Sequence, residues 1–333
     1  MTKRLAVIGG GSWGTALAIV LAPRFEEVRL WIREPELAAR TARTRINDVF
    51  LPGCALPANV EVTSELARAS RGAGIILTVV PSRFVRGVVS AMLPELDGSA
   101  DFVSATKGIE PGTLLRMSEV LAGVLSPAFP PRIAVLSGPS FAREVAEGEP
   151  AAIAVASADD GLARRIQQAF SGRTFRLYRN SDVVGVEVGA ALKNVIAIAA
   201  GICQGLGLGS NSRAALITRG LAEITRLAVA MGGRPQTMAG LAGLGDLVLT
   251  CTGELSRNRK VGLELAAGKG IGEIVGGMQM VAEGVETTFA AMALARKFQV
   301  DLPITEQMES ILEGKKSPGE ALRELMERSL KGE

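Results

Sequence analysis

The sequence predicts an α/β protein in which a doubly wound, mainly parallel sheet domain is followed by a mainly α-helical one. Its 333 residues correspond to roughly two domains. The first half alternates short apolar runs with longer helical patterns. Its early runs are apolar throughout, as strands are when helices cover both faces of a parallel sheet. From about Ser181 the strand signals fade, and long helical patterns punctuated by glycine run to the end. A boundary near 181–190 is therefore expected, with the sheet domain over residues 1–185 and the helical domain over 186–333.

The expected strands are Leu5–Ile8, Val28–Ile32, Val60–Thr63, Ile75–Val80, Phe102–Ser104, Ile133–Leu136, Ala152–Val155 and Phe175–Tyr178, the last of them extending one edge of the sheet. Lys3 and Arg4 ahead of an apolar stretch to Ala22 imitate a secretory signal, but Gly9, Gly10, Gly11 and Gly14 interrupt the stretch. No run reaches the about 18 uninterrupted apolar residues of a membrane span, the most apolar candidate being the short stretch around Val195 to Cys203. Near the end, Ser317-Pro318-Gly319-Glu320 reads as a capping box with proline at the first helical position, opening a final amphipathic helix.

Composition removes several classes of function. Lys plus Arg is 37 against 34 for Asp plus Glu, a net charge of +3, and aromatic residues make up 4%; neither suggests a nucleic-acid surface. There is no histidine, which excludes histidine triads, zinc sites built on histidine, and a histidine acid/base. Cys54, Cys203 and Cys251 are isolated, so no disulfide framework or metal site is expected and a reducing cytoplasm fits. Any proton transfer falls to Lys, Asp, Glu, Tyr or Cys.

Gly9, Gly11 and Gly14 stand at G-x-G-x-x-G spacing, after a strand signal and at the opening of a helix signal, the context of a Rossmann-like dinucleotide site. The first glycine permits the tight turn and the second lets the backbone approach a pyrophosphate. The third lets helix and strand pack closely, while the helix N-terminus faces the phosphates. The second strand ends in Leu30-Trp31-Ile32-Arg33-Glu34. An acidic residue there would hold a ribose 2′-hydroxyl, whereas Arg33 suits the 2′-phosphate of NADP. The expected cofactor is NADPH, with NADH left open by Glu34.

A dehydrogenase acting on an alcohol or ketone needs a proton donor beside the carbonyl oxygen. The tyrosine route through Tyr-x-x-x-Lys fails, because Asp182 stands four residues after Tyr178, the single tyrosine. A lysine remains. Val188, Leu192, Val195, Ile196, Ala199 and Cys203 form an apolar stripe at helical spacing, and Lys193 lies beside it with Gly189 and Ala197 one turn away. Small neighbours are expected to leave room for a ligand around the ammonium, and desolvation near other cations to lower its pKa.

Several separated motifs in one order then resemble the bacterial NAD(P)-dependent sn-glycerol-3-phosphate dehydrogenase family. They are Gly9-Gly10-Gly11-Ser12-Trp13-Gly14-Thr15-Ala16, Ala105-Thr106-Lys107-Gly108, Ser137-Gly138-Pro139-Ser140-Phe141-Ala142, Gly189-Ala190-Ala191-Leu192-Lys193-Asn194-Val195, Gly243-Leu244-Gly245-Asp246-Leu247 and Ser256-Arg257-Asn258-Arg259. The resemblance implies reduction of dihydroxyacetone phosphate to sn-glycerol 3-phosphate for glycerophospholipid synthesis, with Lys193 as proton donor and acceptor. It implies Lys107, Gly138, Ser140, Asn194, Asp246, Ser256, Arg257 and Asn258 at the substrate. It further implies Ser12, Trp13, Lys107, Ala142, Arg257, Val281 and Glu283 at the cofactor, beside the glycines and Arg33. An apolar helical second domain makes a homodimer plausible. Two rivals stand beside this reading: a related hydroxyacid dehydrogenase with a carboxylate substrate, and a dinucleotide sensor without catalysis, which would not need Lys193 together with Arg257.

Overall fold

A computed structural model describes residues 4–278 and 282–329. The sheet has eight strands: β1 Arg4–Ile8, β2 Glu27–Trp31, β3 Val60–Thr63, β4 Ile75–Thr78, β5 Asp101–Ser104, β6 Arg132–Ser137, β7 Ala151–Ala156 and β8 Phe175–Asn180, in the order β3-β2-β1-β4-β5-β6-β7-β8. Its helices are α1 Ser12–Leu21, α2 Pro35–Thr44, α3 Leu66–Ser70, α4 Val85–Met92, α5 Met117–Leu125, α6 Ala142–Ala146 and α7 Asp160–Phe170. All eight expected strands are present to within two residues at each end. The apolar stretch after Arg4 is β1 and α1, part of this core.

Strands β4 and β5 are buried at every position, and β1 everywhere but Arg4, because neighbours flank them in the sheet and helices cover both faces. Every pairing is parallel except β6 with β7, which is antiparallel. The connection between those two strands carries only the five-residue α6. At about 1.5 Å per residue that helix is too short to carry the chain back along the face of a six-residue strand, so the chain returns antiparallel.

The second region is α8 Val183–Gly205, α9 Ser210–Ala230, α10 Pro235–Met238, α11 Asp246–Thr252, α12 Arg257–Ala266, α13 Ile271–Gly276, α14 Glu283–Phe298, α15 Pro303–Leu312 and α16 Pro318–Met326, with a π-helical turn at Leu241–Gly245. By length and composition α8 would suit a membrane, but 89% of its apolar window is buried inside this fold. Its side chains join those of α9, α11, α12, α14 and α15 in one apolar cluster. Ser317 caps α16 through a full capping box with Glu320.

Two buried carboxylates fasten helix ends. Glu187 of α8 reaches the sheet region, where its Oε1 accepts from Ser118 N at 2.7 Å and its Oε2 from Arg116 at 2.8 Å, at the start of α5. Glu223 of α9 accepts from Ile304 N at 2.6 Å and Thr305 N at 3.2 Å, two donors that the first turn of α15 leaves without helical partners. Beyond β4, β5 and β6 the chain meets the second region: Ser82 and Gly108 lie against Glu283 at the start of α14, and Lys107 and Ser137 against Asp246 at the start of α11.

Candidate active site

The turn after β1 is built by its glycines. Gly9 has φ +127°, and a Cβ there would lie 2.8 Å from the Val79 backbone. A Cβ on Gly14 would lie 1.8 Å from Gly9 O, so α1 can start only against bare backbone. On Gly11, the residue preceding α1, a Cβ would meet open space. Ser12 Oγ donates to Phe50 O at 2.6 Å. Trp13 packs edge-on against Phe175, and its buried Nε1 has no hydrogen-bond partner among the described residues. Ala142 begins α6 and packs against the cluster of Ala16, Leu51 and Cys54 behind the turn. Arg33 follows β2, and Glu34 turns to it, its Oε1 accepting from Arg33 at 2.7 and 2.9 Å.

Across the edge stands a cluster from both halves of the chain. Asp246, fully buried in the first turn of α11, accepts from Lys193 Nζ through Oδ1 at 2.5 Å and from Lys107 Nζ through Oδ2 at 2.8 Å. Lys193 also donates to Thr250 Oγ1 at 2.9 Å, and Thr250 donates to Asp246 O at 2.6 Å. Lys107, beyond β5, donates to Gly138 O at 3.1 Å and approaches Ser140 Oγ at 3.5 Å, while Ser140 itself donates to Gly138 O. Lys107, Gly138, Ser140, Lys193 and Asp246 are thereby one hydrogen-bonded group.

Its electrostatics follow from one carboxylate shared by two ammonium groups. Burial lowers the Lys193 pKa to about 8; Lys107 adds to the fall and Asp246 opposes it. Burial would raise Asp246, but Lys107 and Lys193 together overcome it and hold the carboxyl below its usual range. Thr250 was not singled out in the sequence; its signal is the Asp246-x-x-x-Thr250 spacing, which puts both side chains on one helix face.

The remaining candidates surround this group in different ways. Asn194 is buried next to Lys193. Ser256 caps α12, its Oγ accepting from Arg259 N at 3.2 Å. Arg257 opens α12 and is exposed. The Asn258 Oδ1 is taken by Gly284 N at 3.0 Å, which fastens α12 to α14. Glu283 starts α14 beside Gly108, accepting from the Ser82 backbone N–H; burial raises its pKa to about 7 despite the charge of Arg257. Val281 lies outside the described residues. One expectation changes: Gly189 does not leave ligand space, because a Cβ there would lie 2.7 Å from Ala242 O. Its smallness admits the π-helical turn that leads into Asp246.

A glycine turn at one edge of a doubly wound sheet, with a buried lysine–aspartate pair at the same edge, defines a dinucleotide-dependent oxidoreductase. Residues 4–163 match the family described as NAD-dependent glycerol-3-phosphate dehydrogenase N-terminus, and residues 182–323 match its C-terminus. The glycerol-3-phosphate dehydrogenase [NAD(P)+] of Koribacter versatilis (strain Ellin345) is 60% identical over 98% of this chain and 97% of its own length. That of Geobacter sp. (strain M21) is 56% identical over 100% and 99%. The solved glycerol-3-phosphate dehydrogenase of Coxiella burnetii superposes with a TM-score of 0.94 at 41% identity, covering 98% of this chain and 99% of that one. The chain belongs to the NAD-dependent glycerol-3-phosphate dehydrogenase family.

Proposed function

We propose that this protein reduces dihydroxyacetone phosphate to sn-glycerol 3-phosphate with NADPH, and that Lys193 moves the proton. The observation that carries the reading is the Lys193 ammonium itself: buried, held by Asp246 and Thr250, and poised near pH 8 at the sheet edge.

The residues present fit a dinucleotide. Open space at Gly11, the N-terminus of α1 and a Trp13 Nε1 without a partner among the described residues suit a pyrophosphate between Gly9 and Gly14, with Ser12 and Ala142 behind the turn. Arg33 would take the adenosine end, and Glu283, Lys107, Arg257 and Val281 the nicotinamide side. The nicotinamide, when bound, supplies the hydride for C2 of the ketone.

Lys193 supplies the proton. As an ammonium it donates to the carbonyl oxygen, stabilises the negative charge that grows there and then protonates it. A pKa near 8 leaves it charged at neutral pH yet able to give the proton up. Asp246 and Thr250 fix two directions of the ammonium, so a third is free for substrate. Lys107 balances the second oxygen of Asp246 and, with Lys193, leaves this three-residue group at +1, which favours an anionic substrate. Arg257 at the N-terminus of α12 provides a fork for phosphate oxygens, and Ser140, Gly138, Asn194, Ser256 and Asn258 border the remaining space. In the reverse direction neutral Lys193 accepts the hydroxyl proton.

The product would feed glycerophospholipid synthesis. The three free cysteines agree with a reducing compartment. The test is oxidation of NADPH and of NADH by the purified protein with dihydroxyacetone phosphate. Substrate-dependent oxidation favouring NADPH is expected; no oxidation with this ketone, together with NADP+ or NAD+ reduction by a short 3-hydroxy acid, would replace the reading.

A further inference from the structure

The sheet edge carries a second guanidinium beside Arg33. Ser82–Phe84 forms a short 3₁₀ turn beyond β4, and Phe84 is 37% exposed. The guanidinium carbon of Arg33 lies 5.7 Å from the Phe84 ring centroid, and that of Arg83 4.8 Å. An aromatic ring attracts cations through its negative faces, so Phe84 holds two like charges close together that would otherwise drift apart. Each guanidinium also has a carboxylate at hand. Arg33 pairs with Glu34 at 2.7 Å and Arg83 with Glu286 of α14 at 2.5 Å. The second pair engages Arg83 through Nη1, which steadies the fork against the helical region.

We propose that Arg83 is a specificity-determining residue for the cofactor, forming with Arg33 a two-guanidinium seat for the phosphate on the adenosine 2′ position. The proposal rests on the reading of Arg33 above as a marker for NADPH. The seat lies between the ends of β2 and β4, on either side of β1 and its glycine turn, where the adenosine ribose of a Rossmann-like site falls. Glu34 and Glu286 neutralise the pair while no phosphate is there, so two cations can stand ready without repelling each other. All four charged side chains are at least 32% exposed, and exposed pairs of this kind are weak. A phosphate monoester meets a guanidinium fork with two charge-assisted bonds and outcompetes them. A ribose 2′-hydroxyl offers no such exchange, so discrimination arises at this point.

The test is isothermal calorimetry on the full chain with 2′,5′-ADP and 5′-AMP, two probes that differ only in the 2′-phosphate and lack nicotinamide. The wild type should favour 2′,5′-ADP about tenfold or more, and Arg83→Ala should weaken 2′,5′-ADP about tenfold while leaving 5′-AMP within about twofold. Arg83→Lys, which keeps charge but not the fork, should fall between. Glu286→Gln breaks the contact with α14 and keeps the guanidinium, so it should retain the preference. Equal weakening of both probes by Arg83→Ala, or a Glu286→Gln variant that copies it, would overturn the proposal. A preference abolished by Arg33→Ala and untouched by Arg83→Ala would remove Arg83 alone and leave the NADPH reading standing. A wild type without preference would remove that reading and the seat with it.

Discussion

Lys107 and Lys193, one following a strand of the sheet and the other inside the central helix of the second region, meet the two oxygens of a single carboxylate, Asp246, at 2.8 and 2.5 Å. Neither lysine has an acceptor this close from its own element. The carboxylate therefore joins lysines from the two halves of the chain.

The first consequence concerns pH. Asp246 is the group that raises the Lys193 pKa against burial, so Asp246→Asn removes the brake and the pKa falls below about 8. In the proposed reaction, ketone reduction needs the ammonium. In the wild type the reductive rate should fall as pH rises through about 8, and alcohol oxidation, which needs the neutral amine, should rise through the same range. In Asp246→Asn both limbs should move to lower pH. Steady-state pH profiles in each direction check this; an unmoved profile would separate Asp246 from the titrating group.

Arg257 is expected to act on substrate affinity. Arg257→Ala should raise KM for dihydroxyacetone phosphate about tenfold or more and change KM for unphosphorylated dihydroxyacetone little, since a phosphate contact is worth most where phosphate is present. Equal effects on both ketones would place Arg257 elsewhere.

Glu223 bears on stability alone. Glu223→Ala leaves Ile304 N and Thr305 N without their acceptor inside the protein and should cost about 1–3 kcal/mol in denaturant unfolding. Burial pushes the Glu223 pKa up to about 7 from 4.5. Between those values the folded chain keeps a proton that the unfolded chain has released, so stability falls as pH rises from 4.5 to about 7. Glu283, also raised to about 7, contributes in the same direction. The share due to Glu223 is the part of the slope missing in Glu223→Gln.

Much of this architecture can be read from residue order. Continuous apolar runs mark the buried strands, the glycine spacing marks the turn after β1, and Ser317 with Glu320 marks the last helix, because each is a local signal. The change of direction at β7 could not be read, since it depends on α6 being too short to cross the sheet. The burial of Lys193 follows from the apolar stripe beside it, but Gly189 serves the approach of Ala242, a contact 53 residues away in sequence, and leaves no ligand space. Glu187 and Glu223 act through partners on other helices, which no pattern of residue types announces, whereas Thr250 is marked by its spacing from Asp246 alone. Asn258 and Ser256 stand in motifs at the site, and their side-chain oxygens accept backbone N–H groups of Gly284 and Arg259.

The most direct measurement is turnover of Lys193→Ala with dihydroxyacetone phosphate, taken alongside NADPH binding to the same variant. The account predicts a loss of about a hundredfold or more in turnover with NADPH affinity retained within about twofold. A variant that turns over at the wild-type rate while binding NADPH normally would contradict it.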